Sequence, residues 1–235
     1  LLILLYERGI LFMQQLWDKV TSLDLLNESW KKVSKNSCLS GIDKVTPEAF
    51  QKDLELNLFK IHANLKFGGY QVFPVLKLRS QFMGQKDRPL VIPTIRDRIV
   101  MRNLSDVLQP VFETEFCESN FAYRPNRSAA KASDKVNSFI SEKFRYFLQI
   151  DIENFFVNID HELLINIISK YIDDEKVINL IIKFLKAGVF DKQNFISPLE
   201  GLPQGSPLSP LLSNIFLHPF DMEITKSFQK SNWKI

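Results

Sequence analysis

The feature that most constrains the fold is a proline- and glycine-rich turn that runs directly into an apolar stretch, residues 201–215. Glycines at both ends of the turn, Gly201 and Gly205, allow the backbone to approach a flat ligand closely. Between them, Gln204 offers both hydrogen-bond donors and acceptors. The serine and prolines that follow predict the start of a helix, because proline is tolerated in a first helical turn. The segment therefore predicts a ligand-facing turn, although a plain loop before a helix would explain the prolines alone.

A second segment, residues 149–161, carries a candidate metal ligand. Residues 146–152 are predicted as a strand, in which Leu148 and Ile150 alternate with Gln149 and Asp151. The Asp151 carboxylate then lies on the face away from the apolar residues. A carboxylate at the end of a buried strand is well placed to hold Mg²⁺. Taken alone, such an Asp is more often a turn or capping residue.

Helices and one hairpin are predicted around these segments. Apolar periodicity and capping residues predict helices over about 13–35, from Thr46 and Pro47 onward, from Thr94, over 128–140, from Asp160, over 177–185 and from Ser206. Two β-rich runs, residues 70–78 and 88–92, predict a hairpin. Lys77 and Arg88 would face each other across its stem.

Composition is that of an ordinary globular protein, with 45% hydrophobic and 24% charged residues. The two cysteines, Cys38 and Cys117, are far apart, so no disulfide framework or zinc site is predicted, and a reducing, cytoplasmic location fits best. The apolar N-terminus is interrupted by Glu7 and Arg8 and predicts no membrane span. A net charge of +3 does not by itself indicate a nucleic-acid partner. Basic residues are concentrated, however, between Lys77 and Lys131.

Five ordered segments resemble the reverse transcriptases of bacterial group II introns and related elements. The segment around Asp151 looks like polymerase motif A, and the segment from Gly201 looks like motif B. Three upstream blocks resemble the N-terminal and fingers blocks of that family: residues 41–47 (GIDKVTP), 88–100 (RPLVIPTIRDRIV) and 121–129 (FAYRPNRSA). The resemblance covers about residues 41–221.

The resemblance implies roles for residues of the catalytic segment. Asp151 is implied as the catalytic carboxylate that coordinates metal, with the backbone carbonyl of Ile152 as a further ligand; two Mg²⁺ ions are expected in the complete enzyme. Phe156 matches the bulky residue that excludes a ribose 2′-OH and so selects deoxynucleotides.

The resemblance also implies contacts with nucleotide and template. Lys77 and Arg88 match fingers residues that grip the triphosphate of a dNTP, a role suited to a point charge and a planar fork. Gln204 would touch the incoming nucleotide. Template or other RNA contacts, salt-sensitive and tolerant of sequence, are implied for Arg96, Arg98, Arg102, Arg124, Arg127 and Lys131. For each of these, a solvated surface is an equal alternative. The implied partners are an RNA template, a DNA or RNA primer, dNTPs and intron RNA.

The expected fold class is α+β, with helix-rich fingers, a β-hairpin and an incomplete antiparallel palm sheet. Expected regions are a helical N-terminal extension over 1–40, fingers over 41–143 and a partial palm over 144–235. An incomplete sheet leaves an unpaired edge, which predicts self-association.

The sequence departs from the family pattern at one point. The family's aromatic-x-Asp-Asp hairpin should follow motif B, but no such motif follows Gln204. Tyr171, Ile172, Asp173 and Asp174 match its letters, yet they precede Gln204 and lie between helical patterns, so Asp173 is predicted as a helix cap instead. We expect the chain to end before that hairpin and to lack polymerase activity alone. A maturase-like protein that binds structured RNA without polymerase chemistry is the alternative function.

Overall fold

The computed structural model describes residues 16–36, 39–78, 90–191, 194–197 and 200–229. Arg88, the hairpin tip and the start of the first predicted helix lie outside these residues. Residues 16–21 are helical and break at Ser22, after which α1 spans Leu23–Asn36. Two further helices, α2 over Pro47–Lys52 and α3 over Leu54–Lys66, precede the first strand.

The central helix α4, Ile95–Glu113, organises the core. Thr94 caps it by accepting a hydrogen bond from the Asp97 amide, as the sequence predicted. Its apolar stripe is fully buried, including Ile95, Ile99 and Leu104 at 0% exposure. One continuous apolar core takes in residues from Leu16 to Ile215, and so includes members of all three predicted regions.

A four-stranded mixed sheet lies beside this core in the order β2-β1-β3-β4. The predicted hairpin is confirmed as β1, Val75–Leu78, paired antiparallel with β2, Leu90–Ile92. Lys77 pairs with Val91, and Arg88, which was expected to face Lys77, lies outside the described residues. Strands β3, Val189–Asp191, and β4, Asn194–Ile196, were not predicted; β3 joins β1 in parallel.

The remaining helices follow the predicted pattern. They are α5 over Ala129–Ser141, α6 over His161–Ile168, α7 over Glu175–Leu185 and α8 over Ser209–Gln229. Asp160 caps α6 by accepting from the Leu163 amide at 2.7 Å. Helix α8 begins three residues later than the predicted cap Ser206. Among the helices described, none combines the length and the apolar character that crossing a membrane requires.

The predicted strand at residues 146–152 is absent. This segment lacks regular secondary structure, and its apolar side chains are exposed, from 48% at Ile152 to 87% at Tyr146. A strand needs a hydrogen-bonded neighbour, and no described residue pairs with this segment. The strand that the alternation of apolar and polar residues predicted here is therefore wrong.

Candidate functional site

Backbone hydrogen bonds join the two sequence segments that carried the functional prediction. The Gly201 amide donates to the Ile159 carbonyl at 2.7 Å, and the Leu202 amide donates to the Phe156 carbonyl at 2.6 Å. Phe156 belongs to a 3₁₀ turn, Phe155–Asn158, that follows the Asp151 segment. The turn at 201–205 therefore lies directly against the chain that carries Asp151.

Close backbone contacts explain both glycines of the turn. Gly201 has φ +89°, and a Cβ there would lie 2.8 Å from the carbonyl oxygen of Val157. Gly205 has φ +108°, and a Cβ there would lie 2.6 Å from the carbonyl oxygen of Val91. Beside Gly205, the Val91 amide of strand β2 donates to the Gln204 carbonyl at 2.9 Å. The turn is thus clamped between the 3₁₀ turn and strand β2, which only residues without a side chain permit.

Between these elements lies a cavity of about 210 Å³. Its walls bring together Lys77 from β1 and Gln204 from the turn, two residues predicted to contact the same nucleotide. The Lys77 ammonium forms an ion pair with Asp191 at 3.0 Å, and both side chains are partly buried. Val157, Gly201 and Pro203 also line the cavity. The lining therefore includes a cation and an amide residue in a mostly apolar pocket.

Phe156 lies beside this cavity without lining it. Its ring is half-buried and packs edge-on against Phe155 with centroids 5.6 Å apart, and Phe155 in turn packs on Phe216. The neighbouring residue Val157 lines the cavity instead. The role of Phe156 as a gate against ribose therefore remains a prediction.

Asp151 is exposed and caps no helix. Its carboxylate has no hydrogen bond or ion pair with any described residue. It lies five residues before Phe156, which limits the distance between their Cα atoms to about 18 Å, roughly 3.6 Å per residue. The assignment of Asp151 to a metal ion therefore stays a prediction.

The oxygen donors fit a hard divalent cation in type, since Mg²⁺ prefers carboxylate and carbonyl oxygen and completes its shell with water and phosphate. Asp151 supplies a carboxylate, and the adjoining carbonyl of Ile152 accepts no hydrogen bond from the described residues. No cluster of three or more His, Cys, Asp or Glu side chains suited to a metal occurs in the described ranges. The donor set is therefore compatible with Mg²⁺ but small.

Two of the six basic residues predicted to bind template are buried. Arg98 donates to the carbonyls of Pro93, at 2.8 Å, and Leu39. Burial lowers the pKa of its guanidinium, while Asp43 opposes that shift. Arg124 is only 4% exposed in its side chain and forms an ion pair with Glu113 at 2.8 Å. Both guanidinium groups tie loops to the core, which argues against the template contact expected of them.

The other four basic residues are accessible to different degrees. Arg102 is 40% exposed and pairs with Asp106, and Arg127 pairs with Glu118. Arg96 stacks over the ring of Tyr70 at 4.6 Å and donates to the Gln71 carbonyl. Lys131 is exposed and donates to the Asn126 carbonyl at 2.7 Å. Their assignment to the template remains a prediction.

A buried hydrogen-bond network that the sequence analysis missed positions strand β1. The Asp97 carboxylate, 0% exposed, accepts from the Tyr70 hydroxyl at 2.6 Å, the Thr94 hydroxyl at 2.7 Å and the Phe73 amide at 3.1 Å. Burial raises the pKa of the Asp97 carboxyl, and the bonds from Tyr70 and Thr94 and the charge of Arg96 oppose that rise. The network ties the chain that leads into β1, and hence Lys77, to the first turn of α4.

Two further residues near the turn were missed. His161 Nε2 lies 2.7 Å from the Gly201 carbonyl oxygen and holds the turn on α6. Asp191 pairs with Lys77, as described above. Neither had a local signal, since both act on residues distant in sequence.

The aromatic-x-Asp-Asp look-alike is a helix start, as predicted. The cap is Asp174, one residue later than expected, which accepts from the Lys176 and Val177 amides and from the Trp17 amide. Ile172 is buried in the core at 0% exposure. The Asp173–Asp174 pair is therefore not placed as a catalytic carboxylate hairpin.

Known proteins identify the family. Residues 81–234 match the reverse transcriptase (RNA-dependent DNA polymerase) family, and the chain belongs to it. It is 32% identical over 209 residues to protein YkfC of Escherichia coli K12, covering 85% of this chain and 55% of that protein. It is 35% identical over 189 residues to the group II intron-encoded protein LtrA of Lactococcus lactis subsp. cremoris, covering 80% of this chain and 31% of that protein.

The fold agrees with solved structures. A chain of a partial Cas6-RT-Cas1–Cas2 complex superposes with a TM-score of 0.61 and 22% identity, covering 90% of this chain and 35% of that chain. The likeness confirms the α+β fold expected for reverse transcriptase fingers and palm. The chain spans about half or less of the length of these relatives.

Proposed function

We propose that this chain forms the fingers and part of the palm of a group II intron-like or defence-type reverse transcriptase, an RNA-directed DNA polymerase. The observation that carries the proposal is the cavity whose lining includes both Lys77 and Gln204, bounded by a turn hydrogen-bonded to the chain that carries Asp151. These groups suit part of a dNTP in chemical type, because its triphosphate requires cations and its base requires a polar contact beside an apolar wall.

The chain's own residues divide the work of nucleotide binding. The Lys77 ammonium would bind the triphosphate, exchanging Asp191 for phosphate oxygens. Gln204 would orient the nucleotide, and the clamped turn would keep that side chain in place. Asp151 and the Ile152 carbonyl would hold Mg²⁺, which when bound stabilises the attacking and leaving oxygens of nucleotidyl transfer. An RNA template and a primer are the partners that this reaction requires.

Binding of dATP with Mg²⁺ to the whole chain, measured by calorimetry, tests the proposal. We expect Lys77→Ala to weaken binding about tenfold or more, since a charge-assisted contact to phosphate contributes roughly 1.5–3 kcal/mol. Lys60→Ala, an exposed lysine on α3 that lines none of the cavities described, serves as the matched control and should bind as the unaltered chain does. Equal affinities for the two variants would refute the assignment of Lys77 to the nucleotide.

Primer extension tests the other half of the proposal. Asp151 is the only metal-binding carboxylate that the resemblance assigns within this sequence, so we expect no primer extension by this chain alone. Metal-dependent extension of a primer on an RNA template by the purified chain would contradict that expectation.

The intron-encoded relatives favour one second candidate, a maturase-like RNA-binding role. One similar protein is the nuclear intron maturase 1 of Arabidopsis thaliana, 28% identical over 94 residues. The nucleotide assay separates the two candidates, because a protein that only binds intron RNA does not require Lys77-dependent dNTP binding.

A further inference from the structure

A second cleft, of about 350 Å³, lies on the other side of α7 from the nucleotide cavity. Its volume falls in the range of clefts that bind small ligands or single groups of larger ones, about 300–1,000 Å³. Phe184 and Leu185 of α7 face the nucleotide cavity, whereas Lys176 and Lys183 face this cleft. Helix α7 therefore separates the two, and the cleft is a distinct site.

The cleft has an apolar floor and an exposed aromatic wall. Leu65, Tyr70 and Leu180 form the floor and are at most 3% exposed. On the wall, Phe67 is 82% exposed, and Trp17 is half-buried. An exposed phenyl ring beside a cleft contributes little to folding, but it offers a flat surface on which a planar group can stack.

The rim of the cleft is cationic. Lys176 and Lys183 lie two turns apart on α7, and Lys66 ends α3 on the opposite side. Lys183 donates one hydrogen bond to the Tyr70 carbonyl at 3.1 Å, which leaves two of its three N–H donors for a ligand. The Lys176 ammonium lies 6.0 Å from the Trp17 ring, so cations and aromatic wall adjoin.

No acidic side chain lines the cleft within the described ranges. The nearby Asp174 carboxylate is occupied by the backbone amides of Trp17, Lys176 and Val177. Among the described residues, no carboxylate in the lining of the cleft pairs with the lysines of its rim. A ligand with regularly spaced negative charges and planar apolar groups matches it best.

We propose that this cleft binds a single-stranded nucleic acid, with phosphates on the three lysines and a base stacked on Phe67. Sequence-tolerant sites for single strands combine these two elements, a basic groove and an aromatic side chain that accepts a base. The proposal rests on the proposed function in one respect, namely that the protein handles a single-stranded template. It adds a contact that is distinct from the nucleotide cavity.

The test compares two triple variants of the whole chain that remove the same residue types. The site variant is Lys66→Ala with Phe67→Ala and Lys176→Ala; it leaves Lys183 and its bond to Tyr70 intact. The control variant is Lys52→Ala with Phe59→Ala and Lys60→Ala, which removes two exposed lysines and a phenylalanine that is 56% exposed, all outside the cleft. Circular dichroism and thermal melting verify that both variants fold.

Fluorescence anisotropy of labelled 12-nucleotide U and dT strands, over a range of salt concentrations, measures binding. We expect the site variant to bind the preferred strand about tenfold or more weakly than the control variant, because it loses a stacking surface. Its salt dependence should also fall, by about 1.4 in the slope of log K against log salt for two lost phosphate contacts. Inorganic polyphosphate carries the charge but no bases, so its competition isolates the contribution of charge. We expect polyphosphate to compete more weakly than U or dT strands.

Equal binding by the site and control variants would overturn the proposal while leaving template binding elsewhere in the protein intact. Equal competition by polyphosphate would overturn the stacking role of Phe67. Failure of the proposed function would show differently, as loss of Lys77-dependent dNTP binding with the cleft unaffected. Preference for U over dT, or the reverse, identifies which strand the cleft takes.

Discussion

Replacing Gly201 with alanine perturbs the contact on which the candidate site depends most. Gly201 has φ +89°, and an added Cβ would lie 2.8 Å from the Val157 carbonyl oxygen and 3.1 Å from its Cα. Both atoms belong to the backbone of the 3₁₀ turn, so a side-chain rotation cannot relieve the clash. The turn at 201–205 and the 3₁₀ turn at Phe155–Asn158 would have to move apart. That movement would strain the hydrogen bond from the Gly201 amide to the Ile159 carbonyl.

Gly68 provides a control with the same backbone cost and no clash. It has φ +78°, and an added Cβ would meet no atom within 4 Å. For both glycines, the left-handed conformation should cost an alanine about 1–2 kcal/mol. The clash at Gly201 should add about 1–3 kcal/mol, the usual cost of forcing an extra carbon into a packed site. We therefore expect Gly201→Ala to destabilise the protein by roughly 2–5 kcal/mol and Gly68→Ala by no more than about 2.

Urea unfolding followed by circular dichroism measures both free energies of unfolding, provided that the slopes with urea agree among the variants. The same samples should show weaker dNTP binding for Gly201→Ala and unchanged binding for Gly68→Ala, because only Gly201 lines the nucleotide cavity. Equal destabilisation by the two substitutions would refute the reasoning, since it would mean that the turn does not need its close approach to the 3₁₀ turn.

Three further predictions concern burial, pH and association. Arg124→Ala should destabilise the protein by about 3 kcal/mol, because it leaves Glu113 and two carbonyls without their partner. Arg102→Ala removes an exposed ion pair and should lower the free energy of unfolding by less than about 1 kcal/mol. Equal losses for Arg124→Ala and Arg102→Ala in urea unfolding would contradict the burial assigned to Arg124. Because burial raises the pKa of Asp97, its neutral form stabilises the folded state at low pH, and this stabilisation is lost as pH rises through the raised pKa. The difference in free energy of unfolding between the unaltered chain and Asp97→Asn should therefore shrink as pH rises. A difference that stays constant from pH 4 upward would contradict this pH dependence. The exposed apolar segment 146–152 should cause concentration-dependent self-association in sedimentation velocity, whereas a monodisperse monomer would contradict this prediction.

Local chemistry in the sequence determined much of the fold. Thr94, Ser128 and Asp160 each cap the helix predicted from them, because a side-chain oxygen and an amide three residues later suffice for a cap. The turn at 201–205 was recognisable for a similar reason, since its glycines are required by the backbone conformation itself. Family membership followed from the order of such segments and is confirmed by the match over residues 81–234.

The tertiary structure decided what each polar side chain is free to do. Arg98 and Arg102 lie one turn apart on α4 and look alike in sequence, yet only Arg98 is buried against carbonyls of distant segments. Lys77 has a partner, Asp191, that only the parallel pairing of β1 with β3 brings near. The strand expected at 146–152 does not form, because a strand requires a neighbouring strand and no described residue pairs with this segment. Capping and periodicity act within a few residues and can be read along the chain, whereas burial, ion pairing and strand pairing depend on neighbours that folding alone supplies.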